Sequence, residues 1–312
     1  YPKPLCPGGT VGLICPSSPV DAKKAAECVS FVRGLGFRVK AASNLTENYG
    51  GYMAGGGRLR AEWINRMFAD PEVDAVFCMR GGDGGNRAAG YLDLELIKRH
   101  PKLFIGFSDA TVFHLIFNQI CRFVTLHGPM VSTNMLERFD GGTRAGFFEA
   151  LNWIIEINCA GHGVPCAFRN PPDIPLKVLK HGAASGPLVG GNLSILCASL
   201  GTPYELDTHG KLLFIEEVNE EVRRIDRMAF QLLHAGKFRD CAGVLLGQFT
   251  GCVNKDMPSY TELDVFRDAL EGCGIPVLYN VQAGHGRPNM TLPLGANCAV
   301  DTARGTIVFG EG

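Results

Sequence analysis

Short apolar runs alternate with amphipathic stretches through the first half of the chain, and this constrains the fold more than any other feature. Residues 11–15 read as a buried strand; Ala22, Ala25, Ala26, Val29 and Val32 then recur at helical spacing, with Gly34 and Gly36 near the stop. Residues 37–41 read as a second strand, 60–68 as a helix closed by Asp70-Pro71, 74–79 as a third strand and 103–107 as a later one. Strands separated by helices of this length imply βαβ units and a mostly parallel sheet. Ligands of such sheets bind at the carboxyl ends of strands. A long helical stretch over 143–157 closes this half. Residues 158–175, with Gly161, Gly163, Pro165, Pro171, Pro172 and Pro175, read as a linker. The second half shows strands at 176–179, 211–216, 243–247, 276–279 and 306–309, with helices near 192–200, 221–235 and 262–272. Residues 297–301 and 306–309 read as a closing hairpin. The expected division is therefore 1–157, a linker at 158–175, and 176–312, in keeping with about two domains at roughly 150 residues each.

Composition narrows the function classes. Apolar residues make up 46% and charged residues 20% of the 312, ordinary for a globular chain with a sizeable core. The net charge of −1 gives no electrostatic case for nucleic acid or an acidic membrane surface. No apolar run approaches the 18 or so residues of a membrane span. Tyr1-Pro2-Lys3-Pro4-Leu5 lacks the charged start and apolar stretch of a signal peptide, so a cytoplasmic location is expected. None of the twelve cysteines forms Cys-x-x-Cys. Cys15, Cys28, Cys78, Cys121, Cys197 and Cys241 sit in apolar patterns and read as core thiols of a reducing compartment; Cys6, Cys159 and Cys166 lie in loop-like stretches. No metal site or cofactor is expected.

The strand at 103–107 runs directly into Ser108-Asp109 and then a helix pattern of Val112, Leu115, Ile116 and Gln119. A serine at such a turn exposes its hydroxyl at the sheet edge, beside the free amides of the helix's first turn. A nucleophile needs both. Ser and Asp are also common helix caps, so the motif acquires weight only with its partners. Arg80-Gly81-Gly82-Asp83-Gly84-Gly85-Asn86-Arg87 follows a strand; it fits neither the dinucleotide nor the phosphate-loop pattern, and Arg80 has the fork to hold a carboxylate. Glu216-Glu217 ends an apolar strand, where adjacent residues point to opposite faces, so one of the two can serve the site. Of the eight histidines, His285 and His127 have loop settings after a strand, whereas His100, His181, His209 and His234 read as surface or helix-end residues. Serine, carboxylate and histidine together make a proton relay.

These motifs, taken in order along nearly the whole chain, resemble the LD-carboxypeptidase family of serine peptidases, which includes muramoyltetrapeptide carboxypeptidase and the microcin C self-immunity protein. The anchors are Cys15-Pro16-Ser17-Ser18-Pro19, Asp70-Pro71-Glu72-Val73, Arg80-Gly81-Gly82, Ile105-Gly106-Phe107-Ser108-Asp109, His127-Gly128-Pro129, Gly190-Gly191-Asn192-Leu193-Ser194, Phe214-Ile215-Glu216, Arg224-Ile225-Asp226-Arg227, Gly284-His285-Gly286 and Leu292-Pro293-Leu294-Gly295. The resemblance implies an N-terminal three-layer, flavodoxin-like α/β domain with a parallel sheet, and a C-terminal swivelling α/β domain with a barrel-like sheet. It implies Ser108 as nucleophile, His285 as base and Glu216 as its orienting carboxylate. The oxyanion hole would be formed by the Asp109 amide with that of Gly81 or Gly82, and Arg80, Asp83 and Asn192 are candidate substrate contacts. Asp83 stands where the family usually has an aromatic residue; facing the cleft, it would favour a substrate ammonium. The implied activity is release of D-alanine from a murein tetrapeptide by a homodimer, without cofactor or metal, on a small peptide and not on nucleic acid or membrane. A second reading is a self-immunity-type hydrolase of aminoacyl or peptidyl nucleotides, which calls for a stacking aromatic; residues 158–175 offer Phe168 alone. A third is a non-catalytic two-domain ligand-binding relative.

Overall fold

The computed structural model describes residues 1–160 and 164–310. Its strands in chain order are β1 (Thr10–Ile14), β2 (Arg38–Ala41), β3 (Ala75–Cys78), β4 (Leu103–Gly106), β5 (Thr125–His127), β6 (Cys166–Phe168), β7 (Lys177–Lys180), β8 (Ala183–Asn192), β9 (Leu212–Val218), β10 (Gly243–Thr250), β11 (Val277–Tyr279), β12 (Leu292–Leu294), β13 (Asn297–Asp301) and β14 (Thr306–Phe309). They form a six-stranded sheet in the order β12-β5-β4-β3-β1-β2 and an eight-stranded sheet in the order β6-β14-β13-β8-β9-β10-β11-β7.

The first sheet has the doubly wound order 2-1-3-4-5, all parallel, with β12 added antiparallel to β5. Its central strands β1, β3 and β4 are buried along their whole length, as a sheet covered on both faces requires. Helices Ala22–Gly34, Gly57–Ala69 and Thr111–Gln119 pack on it. Strand order reverses at β1 and β3, the point of such a sheet outside whose carboxyl ends ligands bind. The second sheet is mixed. Strands β8 to β11 are parallel, and β7, β13, β14 and β6 add antiparallel strands at its two ends.

Three features depart from a simple sequential division. β12 lies far along the second half yet completes the first sheet against β5. Part of the loop-rich 158–175 stretch is ordered strand: Cys166–Phe168 pairs with β14, and the helix before it runs through Ala160. Residues 131–138 form a π-turn and a short helical turn that the hydropathy pattern does not announce. The two halves also meet directly. The Asn192 amide at the end of β8 donates to Thr111 Oγ1 at the start of the helix after β4 (3.0 Å), and a Cβ at Gly191 would lie 2.5 Å from that same oxygen.

Gly190 has φ +131°, and a Cβ there would lie 1.9 Å from the Phe214 carbonyl oxygen of β9. Gly36, also at positive φ, has open space around it. Gly36→Ala is expected to cost about 1–2 kcal/mol from backbone strain alone. Gly190→Ala costs more, because β8 must also part from β9. Melting temperatures of the two variants check this; equal shifts would contradict the packing described.

Candidate active site

Ser108 sits where β4 turns into a helix. Its φ of +64° places a non-glycine residue in the left-handed region, at a cost of about 1–3 kcal/mol. The turn is tight because Gly106 carries no side chain; a Cβ there would meet Cys78 Sγ at 2.8 Å. Gly81, on the turn after β3, faces the serine: a Cβ would lie 3.1 Å from Ser108 Oγ, so glycine keeps the approach to the hydroxyl open. At Gly82, with φ +113°, a Cβ would collide with Ser18. The two turns are tied together from behind. The buried Asp109 carboxylate accepts from Ser17 Oγ (2.5 Å) and from the Gly85 amide (2.7 Å). Burial raises its pKa, against the pull of those two bonds. Buried Arg60 donates to the carbonyls of Pro16, Gly84 and Gly55. Nothing in the hydropathy pattern announces Arg60, since a buried arginine and a surface one on the same helix look alike in sequence.

Glu216 and Glu217 leave β9 on opposite faces, and both are buried. Glu217 is spent locally. Its Oε1 accepts from Asn192 Nδ2 and its own strand's Val218 amide, and its Oε2 from the Ser194 amide and hydroxyl. Glu216 Oε2 instead lies 2.6 Å from His285 Nδ1. An ionised carboxylate can only accept, so the proton of the neutral ring sits on Nδ1. The lone pair on Nε2 then faces Ser108 Oγ at 3.1 Å and accepts a hydrogen bond from its hydroxyl.

The His285 loop is held from three sides. Gly284 has φ +129°, with the carboxylate 2.9 Å from where a Cβ would stand. Gln248 Oε1 accepts from the Gly286 amide (2.8 Å), and its Nε2 donates to the Pro288 carbonyl (2.9 Å). Asn289 accepts from the Gly284 amide through Oδ1, and its own amide donates to Thr143 Oγ1 on the long helix of the first half. The Phe107 ring packs edge-on against the imidazole at 4.7 Å. Burial lowers the His285 pKa, but the charge and hydrogen bond of Glu216, helped by Glu217, outweigh it, and the net shift is upward from 6.5.

A cavity of about 300 Å³ opens in front of Ser108, walled by Arg80, Gly81, Gly82, Met130, Thr133 and Asn134, with Glu137, Arg138, Asp140, His285 and Arg287 around it. The far wall comes from the segment 130–140. Arg80 lines the cavity. Asp83 does not: it is exposed outside it, with its amide toward Ser18 Oγ, because the left-handed Gly82 and Gly84 turn the chain away. Asn192 does not line the cavity either. It is buried, its Oδ1 caps the helix Leu193–Ser199 and its Nδ2 is bonded to Glu217, so both polar ends are occupied. His127 is the last residue of β5, not a loop residue; it is fully buried, and burial holds its pKa well below the usual value. No group of three or more His, Cys, Asp or Glu among the described residues is placed to hold a metal ion, and no helix there is long and apolar enough to cross a membrane.

Residues 11–128 match the LD-carboxypeptidase N-terminal domain and residues 185–300 its C-terminal domain. Over 314 residues, all of this chain and 94% of the relative, the sequence is 40% identical to the "Probable murein peptide carboxypeptidase" of Bacillus subtilis. The chain belongs to the LD-carboxypeptidase family. Among solved structures, this family member's fold matches the muramoyltetrapeptide carboxypeptidase of Oxalobacter formigenes with a TM-score of 0.81 at 23% identity, over 97% of this chain and 99% of that one. It also matches the microcin C7 self-immunity protein MccF in complex with glutamyl sulfamoyl guanosine, with a TM-score of 0.88 at 22% identity, over 100% and 98%; MccF of Escherichia coli is 25% identical over 337 residues, 96% of this chain and 92% of the relative.

The raised His285 pKa fixes the sense of the pH dependence. Only the neutral ring accepts a proton from Ser108, so kcat/KM rises with pH through an inflection above 6.5. Glu216→Gln removes the largest upward influence and leaves burial in control. The inflection therefore moves to lower pH while the rate falls by roughly 10²–10⁴-fold. Glu217→Gln shifts the inflection far less. A pH–rate series on the three proteins checks this, and an inflection that stays in place in Glu216→Gln would contradict it.

Proposed function

We propose that this protein is a serine carboxypeptidase that hydrolyses the L,D-amide bond releasing the terminal D-alanine of a murein tetrapeptide. The observation that carries the reading is the line from Glu216 Oε2 through His285 to Ser108 Oγ, 2.6 and 3.1 Å long, opening on a cavity of peptide size. Family membership and the 40% identical murein peptide carboxypeptidase support the substrate class.

In this mechanism Ser108 Oγ attacks the carbonyl of the penultimate residue as His285 Nε2 takes the hydroxyl proton. Negative charge develops on the carbonyl oxygen, and the Asp109 amide with that of Gly82 or Gly81 receives it. The imidazolium, stabilised by Glu216, passes its proton to the departing amine of D-alanine. A water activated by His285 then cleaves the ester and restores Ser108. Arg80 holds the carboxylate of the leaving D-alanine in a two-pronged contact. The same proposal assigns the nucleophile to residues 1–157 and its base and carboxylate to 176–312, joined by 158–175, in a cytoplasmic homodimer that works on cell-wall fragments. The twelve unpaired cysteines support a reducing compartment.

The nucleotide-cleaving reading has weaker support. Phe168, the aromatic available to it in the 158–175 stretch, is buried in β6 and pairs with β14, where it cannot stack on a base.

Incubation with L-Ala-γ-D-Glu-diaminopimelate-D-Ala is expected to release one D-alanine per peptide. Ser108→Ala and His285→Ala lose at least about 10³-fold in kcat with unchanged melting cooperativity. Mass spectrometry of the products reads both; full turnover by Ser108→Ala would contradict the assignment.

A further inference from the structure

The charges around the cavity do not balance within the protein. Its two acids have partners of their own, although neutral Thr143 leaves the charge of Asp140 in place. Glu137 is ion-paired with Lys24, and Asp140 accepts from both the amide and the hydroxyl of Thr143. Its cations have no ion pair among the described residues. The one hydrogen bond of the Arg80 side chain among the described residues is a long contact from Nη1 to the Pro19 carbonyl (3.4 Å), and its Nε is buried without a partner. Arg138, from the 130–140 segment, and Arg287, from the His285 loop, both line the cavity and are exposed, and neither has a side-chain hydrogen bond or ion pair among the described residues. Three guanidiniums line one concavity, and none of them is ion-paired with a carboxylate among the described residues; Glu137, held by Lys24, lies near enough to Arg138 and Arg80 for their charges to lower its pKa but bonds to neither. The planar forks of the guanidiniums match carboxylates, and electrostatic complementarity of this kind selects a ligand by its charge.

The carboxylate of the leaving D-alanine accounts for one of them, Arg80. We infer that Arg138 and Arg287 form a subsite for a second substrate carboxylate, on the acyl side of the cleaved bond. This rests on the function proposed above. Two groups of a murein tetrapeptide have that chemistry: the side-chain carboxylate of diaminopimelate and the α-carboxylate of γ-linked D-glutamate. A lysine-type peptide lacks the first and offers a lone ammonium, which the arginines repel. A peptide with D-isoglutamine lacks the second.

The test is kcat/KM for three tetrapeptides, the diaminopimelate/D-glutamate form, its lysine analogue and its D-isoglutamine analogue, with the parent enzyme, Arg138→Gln and Arg287→Gln. Loss of a charge-assisted contact is worth about ten-fold or more. The parent is expected to favour the full peptide by that factor over one analogue, and the analogue that suffers identifies the carboxylate. The arginine variants lose a similar factor on the full peptide and little on that analogue, because the partner is already missing. Equal kcat/KM on all three peptides would overturn the subsite, as would arginine variants that fall equally on all three. Absence of D-alanine release from every peptide by the parent would overturn the functional reading and this inference with it.

Discussion

The structure depends on a hydrogen-bonded relay whose members come from two different sheets. Ser108 opens the turn after a strand of the first sheet, Glu216 lies within the second, and His285 is 177 residues from the serine it faces. Hydrogen bonds of this kind span only about 2.7–3.2 Å, so the relay requires the two sheets to be held closely in place. The joints that do this are visible. Thr111, three residues after the nucleophile, accepts the Asn192 amide at the end of β8, and Asn192 lies in register with Glu216 on β9. Asn289, four residues after His285, is bonded to Thr143 of the first half. β12 follows almost at once and closes the first sheet. The chain segment carrying His285 is thus tied to the sheet from which Ser108 emerges.

Burial of charge is the second organising constraint. An ionised carboxylate removed from water without partners is costly, and β9 buries two in succession. Glu217 is satisfied at the N-terminus of the helix Leu193–Ser199, where amide donors favour negative charge. Glu216 is satisfied by His285 through one oxygen only, since its Oε1 has no partner among the described residues. It consequently stabilises a positive imidazole more than a neutral one, which is what proton transfer from Ser108 requires. Asp109 shows a third use of a buried acid: it ties the Gly85 turn to Ser17.

Much of this was legible in the sequence, and the illegible part has a physical pattern. The parallel first sheet shows because its strands are continuous apolar runs, and Ser108 stands out because strand, turn and helix are contiguous there. The Glu216-Glu217 pair could not be resolved from alternation alone, because both faces of β9 are buried and each face accepts a carboxylate. Asn192 looked like a ligand contact because a helix-capping asparagine and a substrate-binding one have the same local sequence. Asp83 looked like part of the cleft because left-handed glycines on both sides steer it away, and that depends on backbone angles the sequence does not display. The cavity wall at 130–140, the Arg60 brace and the Gln248 clamp are long-range arrangements without periodic signal.

The central claim is that Ser108 is made nucleophilic by His285 and Glu216 acting across the two sheets. The most direct measurement is peptide mapping of the protein after brief treatment with a serine-directed fluorophosphonate at neutral pH. The account predicts a single adduct, on Ser108, whose rate of formation collapses in His285→Ala and drops strongly in Glu216→Gln. Labelling at another residue, or labelling of Ser108 at an undiminished rate in both variants, would contradict it.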